Sequence, residues 1–214
     1  MLNKNKETQE AAMPTTDVMD QTETDIRERI LITTERLFRE IGYQKTTVAD
    51  IAKTLRMSPA NVYRFFDSKR SITAGVVSRQ MGDVDEALQV IAGQPQSAAE
   101  RLREMLVTIF RMNSERFAGD SKMHEMVAVA MEENWDVCKA HIDKIIAVTA
   151  RVVGDGMRSG EFRVGDPAVT ALCVLTAMLR FIHPQLIAEF QDKPSATHEQ
   201  LMAFVFTALH APKA

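Results

Sequence analysis

Between Thr47 and Ser58 the chain starts a helix twice. Thr47 can act as an N-cap, and Asp50 three residues on resembles the reciprocal partner of a capping box, with Asp in place of the usual Glu. Ser58-Pro59 is a second start, serine as N-cap and proline at the first helical position. The helix between them therefore spans only about two turns. The next one is expected over about 59–65, before Asp67-Ser68 caps a fourth that reaches about residue 91. Two short helices and a tight turn have helix-turn-helix proportions, with Val48, Ile51, Ala52, Leu55, Val62 and Phe66 as the internal core.

The remainder reads as helix throughout. Ile26, Ile30, Leu37, Phe38 and Ile41 recur at helical spacing from an N-cap at Asp25 to a left-handed end at Gly42. Breaks are expected at Gly93–Ser97, Gly119–Ser121, Gly160–Pro167 and Lys193–Ser195, with an uncertain boundary around Glu132–Asn134. The helix opened by Asp166-Pro167 continues past His183-Pro184, where proline should kink it. No segment alternates as a strand does. The expected fold is all-α with about nine helices: a polar, disordered tail over 1–24, a helix-turn-helix unit over 25–70, and a larger helical domain over 71–214.

Charge follows this division. The whole chain carries −3, yet residues 26–70 hold ten Lys/Arg against five Asp/Glu. A basic unit on an acidic body points to a polyanion partner for that unit alone. No run approaches the roughly 18 apolar residues of a membrane span, and no signal-peptide pattern opens the chain, so a cytoplasmic setting is expected. Cys138 and Cys173 make no disulfide framework, and no HxxxH, HxxE or CxxC spacing offers a metal site. Phosphate-loop, GxGxxG and Gly-x-Ser-x-Gly patterns are missing too, so neither catalysis nor a cofactor is expected.

For entry into a major groove, a helix must be slender at its leading end. Ser58, Pro59 and Ala60 are small there; Asn61 and Arg64 have the geometry for bidentate base-edge contacts, and Thr46, Thr47, Tyr63 and Lys69 suit phosphate oxygens. The stretch ending at Ile72, ILITTERLFREIGYQKTTVADIAKTLRMSPANVYRFFDSKRSI, closely resembles the DNA-binding domain of tetracycline-repressor (TetR) family regulators. The resemblance rests on Leu37-Phe38, Gly42-Tyr43, Thr46-Thr47, Asp50-Ile51-Ala52, Met57-Ser58, Val62-Tyr63, Phe66 and Ser68-Lys69. It implies a homodimer on a near-palindromic double-stranded operator, usually a repressor, weakened by a small molecule bound in the larger domain. By position it implies that Pro59, Ala60, Asn61, Tyr63 and Arg64 face the groove while Thr47, Tyr63 and Lys69 hold phosphates. Pro59 and Ala60 depart from the polar or basic residue and glycine common there, which shifts weight to Asn61, Arg64 and thymine-methyl contacts.

In the larger domain, methionines suit a pocket for varied apolar shapes. Candidate ligand-binding residues are Met105, Ile109, Met126, Trp135, Met178 and Arg180, the last able to pair with a ligand carboxylate. The same methionines serve equally as core fillers, and Arg180 as an interfacial arginine. Two apolar stripes near the C-terminus, through Leu172 and Leu179 and through Leu201 and Phe204, suit a four-helix dimer interface or one subunit's own core. The alternative to a small-molecule effector is a regulator switched by thiol oxidation at Cys138 and Cys173, or by a protein partner.

Overall fold

The computed structural model describes residues 16–117, 121–133, 135–190 and 193–210. They form eleven α-helices: α1 (Thr16–Ile41), α2 (Val48–Thr54), α3 (Pro59–Tyr63), α4 (Lys69–Ala92), α5 (Ala98–Phe117), α6 (Ser121–Glu133), α7 (Trp135–Ser159), α8 (Pro167–Ala177), α9 (Leu179–Ile182), α10 (Pro184–Glu189) and α11 (His198–Leu209). Among the described residues the only β pairing is an isolated bridge from Phe162 to His210. The fold class is the expected one.

The start of α1 is a correction. Residues 16–24, expected as part of a disordered tail, are helical, and α1 begins well before Asp25. Extending a nucleated helix costs far less than starting one, so the helix of 25–41 carries its N-terminal neighbours with it. Residues 1–15 and the expected turn at Gly119-Asp120 lie outside the described residues.

The helix after Asp166 is also corrected. Instead of one kinked helix there are three, and the proline accounts for the second of the two breaks. α8 ends at Met178, and α9 gives way to extended backbone at His183 (φ −90°, ψ 123°). A residue before proline is pushed out of the α region by the pyrrolidine ring. The carbonyl of Ile182, left without a helical partner, accepts a hydrogen bond from the Asn113 side-chain amide at 2.6 Å.

Three apolar clusters build the molecule. The first packs Ile30 and Leu37 of α1 against Val48, Ile51, Ala52, Val62, Phe65, Phe66 and Ile72, and so contains the expected helix-turn-helix core, with Leu55 partly buried at its edge. The second joins Phe38 and Tyr43 to Val76 and Val77 of α4 and to Met126, Val127 and Ala130 of α6. The third, and largest, is the core of α4, α5, α7, α8 and α11. Each fully buried large apolar side chain contributes about 1.5–3 kcal/mol. Because α4 belongs to all three clusters, the helix-turn-helix unit and the larger bundle share one continuous strut. Arg79 of α4 fixes that strut to α1 through Glu28 (2.6 Å) and Glu35 (3.0 Å).

Candidate nucleic-acid interface and internal cavity

The two short helices are capped as their sequence requires. Thr47 Oγ1 accepts from the Asp50 amide (3.2 Å), and Asp50 accepts from the Thr47 amide (2.9 Å) and hydroxyl (2.6 Å). These bonds hold the Asp50 carboxyl below the usual carboxylate range. Ser58 Oγ accepts from the Asn61 amide at 3.2 Å, and Pro59 stands at the first helical position of α3. The turn between α2 and α3 closes with Arg56 in the left-handed region (φ 56°) and the Met57 amide donating to the Ala52 carbonyl (2.9 Å).

One outer face then carries most of the residues expected to touch DNA. Thr47, Ser58, Pro59, Ala60, Tyr63 and Arg64 are exposed and Asn61 is half-buried. Tyr63 is 50% exposed, an aromatic on a short helix turned toward solvent. Arg64 Nη1 reaches Asn61 Oδ1 at 3.4 Å, so the two base-reading candidates stand side by side. Lys45, Lys53, Arg56 and Arg70 of the same unit are exposed as well, and sequence spacing alone did not single them out.

Thr46 does not join the face. It is 1% exposed, and its hydroxyl donates to the Gly42 carbonyl at 2.8 Å. Its role is to close the turn after α1, so its expected phosphate contact is corrected. Lys69 is half-buried, its ammonium donating to the Tyr43 carbonyl (2.5 Å) and lying 4.1 Å above the Tyr43 ring. It therefore ties the start of α4 to the end of α1 in the free protein.

A cavity of about 260 Å³ lies between α4, α5, α6, α7 and the α8–α10 segment. Its walls are mainly apolar, with Val84, Ile109, Met126, Ile145 and Leu175 among them. Of the expected ligand residues, Ile109 and Met126 line it. Met105 and Met178 do not: both are fully buried in the main core. Arg180 also faces away from it, donating to the Phe190 carbonyl at 2.7 Å and lying over the Phe181 and Phe190 rings, where it braces α9 against the end of α10. These three lie away from the cavity wall. The Trp135 side chain lies outside the described residues.

Sequence reasoning missed several of the cavity's polar groups as ligand residues, among them Gln80, Asn113, Arg116, His141 and His183. A signal was present. Gln80 sits four residues from Val76 and from Val84 on the buried stripe of α4, and Asn113 stands four beyond Ile109 on that of α5. A polar side chain on an apolar stripe is the informative kind of burial. Arg116 donates to the Gln80 carbonyl (2.6 Å) and pairs with Asp83 (2.5 Å), while His141 contacts Asp85 at 2.7 Å. Cys138 also lines the cavity, its thiol pushed up by burial, whereas Cys173 is exposed on α8. A thiol made harder to ionise is the opposite of a reactive one.

Comparison with known proteins agrees with both halves. Residues 30–76 match the model described as bacterial regulatory proteins, tetR family, and residues 98–202 match the tetracyclin repressor-like C-terminal domain. The uncharacterized HTH-type transcriptional regulator YhgD of Bacillus subtilis (strain 168) is 21% identical over 179 residues, covering 77% of this chain and 90% of that protein. A transcriptional regulator of the TetR/AcrR family from Thermobifida fusca superposes with a TM-score of 0.63 at 22% identity, over 86% of this chain and 95% of that one. A SmeT–triclosan complex superposes at 0.65 with 16% identity, over 86% and 91%. With a capped helix-turn-helix at one end, a helical bundle behind it and both domain models matched in order, the chain belongs to the TetR family of transcriptional regulators.

Proposed function

We propose that this protein is a homodimeric repressor that holds a palindromic operator through residues 25–70 and releases it when a small apolar or amphipathic molecule fills the cavity within 71–214. The observation that carries the reading is the course of α4. It starts at Lys69 beside the helix-turn-helix and runs on to supply Val77, Gln80, Met81 and Val84 to the cavity wall. A ligand that shifts α4 shifts the recognition unit with it. SmeT, a relative in fold, is described with triclosan bound, which supports a small-molecule effector here.

In this reading Asn61 and Arg64 read base edges, and Thr47, Tyr63 and Lys69 contact phosphates. Two such units must present their recognition helices about 34 Å apart to meet successive major grooves. The dimer face is the outer side of α8 and α11, where Val169 is 56%, Leu172 46% and Phe204 70% exposed. Release requires the ligand to favour the non-binding spacing through its difference in affinity for the two states. The protein acts in the cytoplasm, where its operator lies. No helix among the described residues is long and apolar enough to cross a membrane.

Selection of bound sequences from random duplex DNA by the purified full-length protein, at fixed salt, tests this. An enriched inverted repeat is expected. Weak, salt-sensitive binding with no enriched sequence would overturn the operator reading.

A further inference from the structure

Among the described residues, two buried polar nitrogens on the cavity wall have no hydrogen-bond partner: Gln80 Nε2 on α4 and His183 Nδ1 between α9 and α10. Gln80 is only 5% exposed, so water does not readily satisfy its amide. Buried donors and acceptors are almost always paired, and the exceptions call for a partner. One turn of α5 is bonded to both segments. Asn113 donates to the carbonyl of Ile182, the residue before His183, and Arg116 donates to the carbonyl of Gln80, each at 2.6 Å. The wall thus has a polar end about this turn of α5, and the rest of its lining is mostly apolar, with Thr176 among the exceptions.

That end offers hydrogen bonds without charge. Arg116 is paired with Asp83, and His141 with Asp85, which Lys144 also approaches at 3.1 Å. Burial keeps His183 neutral by lowering its pKa below the ordinary 6.5, and keeps Cys138 as the thiol. A charged ligand would find every described charge on the wall already neutralised and would lose its hydration for nothing.

Building on the proposal that the cavity is the effector site, we infer that the effector is an uncharged molecule with a mainly apolar body and a hydrogen-bonding oxygen at one end, read by Gln80 Nε2 and His183 Nδ1. The oxygen accepts from the Gln80 amide. The neutral imidazole, which can donate or accept at Nδ1, serves a carbonyl or a hydroxyl alike. Pairing orphaned groups gives discrimination that apolar packing alone does not.

Calorimetric titration of the full-length protein with four probes on one skeleton tests the assignment: biphenyl, para-acetylbiphenyl, biphenyl para-carboxylate and para-phenylbenzylammonium, at a pH of about 7.5. The ketone is expected to bind about five- to tenfold more tightly than biphenyl, and both ions more weakly than biphenyl. Gln80→Leu should bring the ketone-to-biphenyl ratio close to one, and His183→Phe should lower the same ratio. Equal binding of ketone and hydrocarbon, a tighter carboxylate, or ratios unmoved in both variants would overturn the ligand class and leave the cavity as an apolar effector site. If none of the four binds, the effector-site reading itself falls, and this inference with it. The wild-type ranking decides the class even where a variant does not fold.

Discussion

Lys122 on α6 donates its ammonium to the carbonyl of Glu40 at 2.6 Å, in the last turn of α1. The same ammonium reaches the Arg39 carbonyl at 3.3 Å, and Arg39 in turn donates to the Arg116 carbonyl at 3.1 Å. A cation at the negative end of α1 is electrostatically favoured. Here it also joins the helix-turn-helix unit to α6, whose Met126, Val127 and Ala130 line the cavity. Replacing Lys122 by Met should lower the melting temperature by about one to three degrees. It should leave operator affinity nearly unchanged and shrink the loss of affinity that a cavity ligand causes. Thermal unfolding and operator titration with and without ligand measure these effects. An unchanged ligand response would show that α4 alone carries the coupling.

Arg64 and Lys69 should fail in different ways. Arg64 stands exposed beside Asn61 on the outer face, so Arg64→Ala should cost about 1–3 kcal/mol on the preferred operator and relax base preference at one position per half-site. Lys69 sits at the start of α4, where its ammonium donates to the Tyr43 carbonyl. Lys69→Met should weaken binding to all sequences alike, reduce the salt slope by about one, and also lower stability through the lost Tyr43 contacts. Salt-dependent titrations on matched and mismatched duplexes separate the two. A change in sequence preference on losing Lys69 would contradict the division.

Phe204, 70% exposed on α11, is the largest mostly uncovered apolar side chain among the described residues. Leu172 and Val169 on α8 are exposed too, and in the proposed dimer a second copy would bury all three. Light scattering should give twice the chain mass of 24.0 kDa for the wild type. Phe204→Glu should move the population toward the single-chain mass and abolish tight binding to an inverted repeat. Retention of the dimer in Phe204→Glu would place the interface elsewhere.

The histidines set a pH dependence of stability. Burial lowers the pKa of His141, His183 and His198 below the ordinary 6.5, with Asp85 opposing the effect at His141 and Glu199 at His198. The unfolded chain therefore takes up protons first as pH falls through that value. Stability should be full above about pH 7.5 and decline as pH falls below the unfolded value, until the folded-state imidazoles also titrate. The denaturant midpoint at about pH 5.5 is expected to be lower than at about 7.5, and His183→Gln should flatten part of the slope. A midpoint that rises on acidification would contradict the burial of these rings.

Local rules written in the chain account for the recognition unit. Thr47 with Asp50, Ser58 with Pro59, Ser68 at the head of α4 and Gly42 after α1 all act within a few residues of their own positions, and all four behave as their chemistry demands. The exposed face of α3 follows from those caps. Thr46 shows the limit: its neighbour Thr47 caps a helix in the open, while Thr46 turns inward to Gly42, a choice set by how α1 and α2 pack.

The amino-acid sequence by itself determined the helical class, the helix-turn-helix and its basic charge, because caps, periodicity and charge are properties of short segments. Only the tertiary structure decided which apolar residues face a cavity and which fill the core. Met105 and Met126 look alike in a helical stripe, yet one is sealed between helices and the other lines open space. Arg180 looks free in its apolar run until the break at His183-Pro184 brings the Phe190 carbonyl to it. Cavities and their polar ends arise where helices distant in the chain fail to fill space between them, and no segment read alone carries that information.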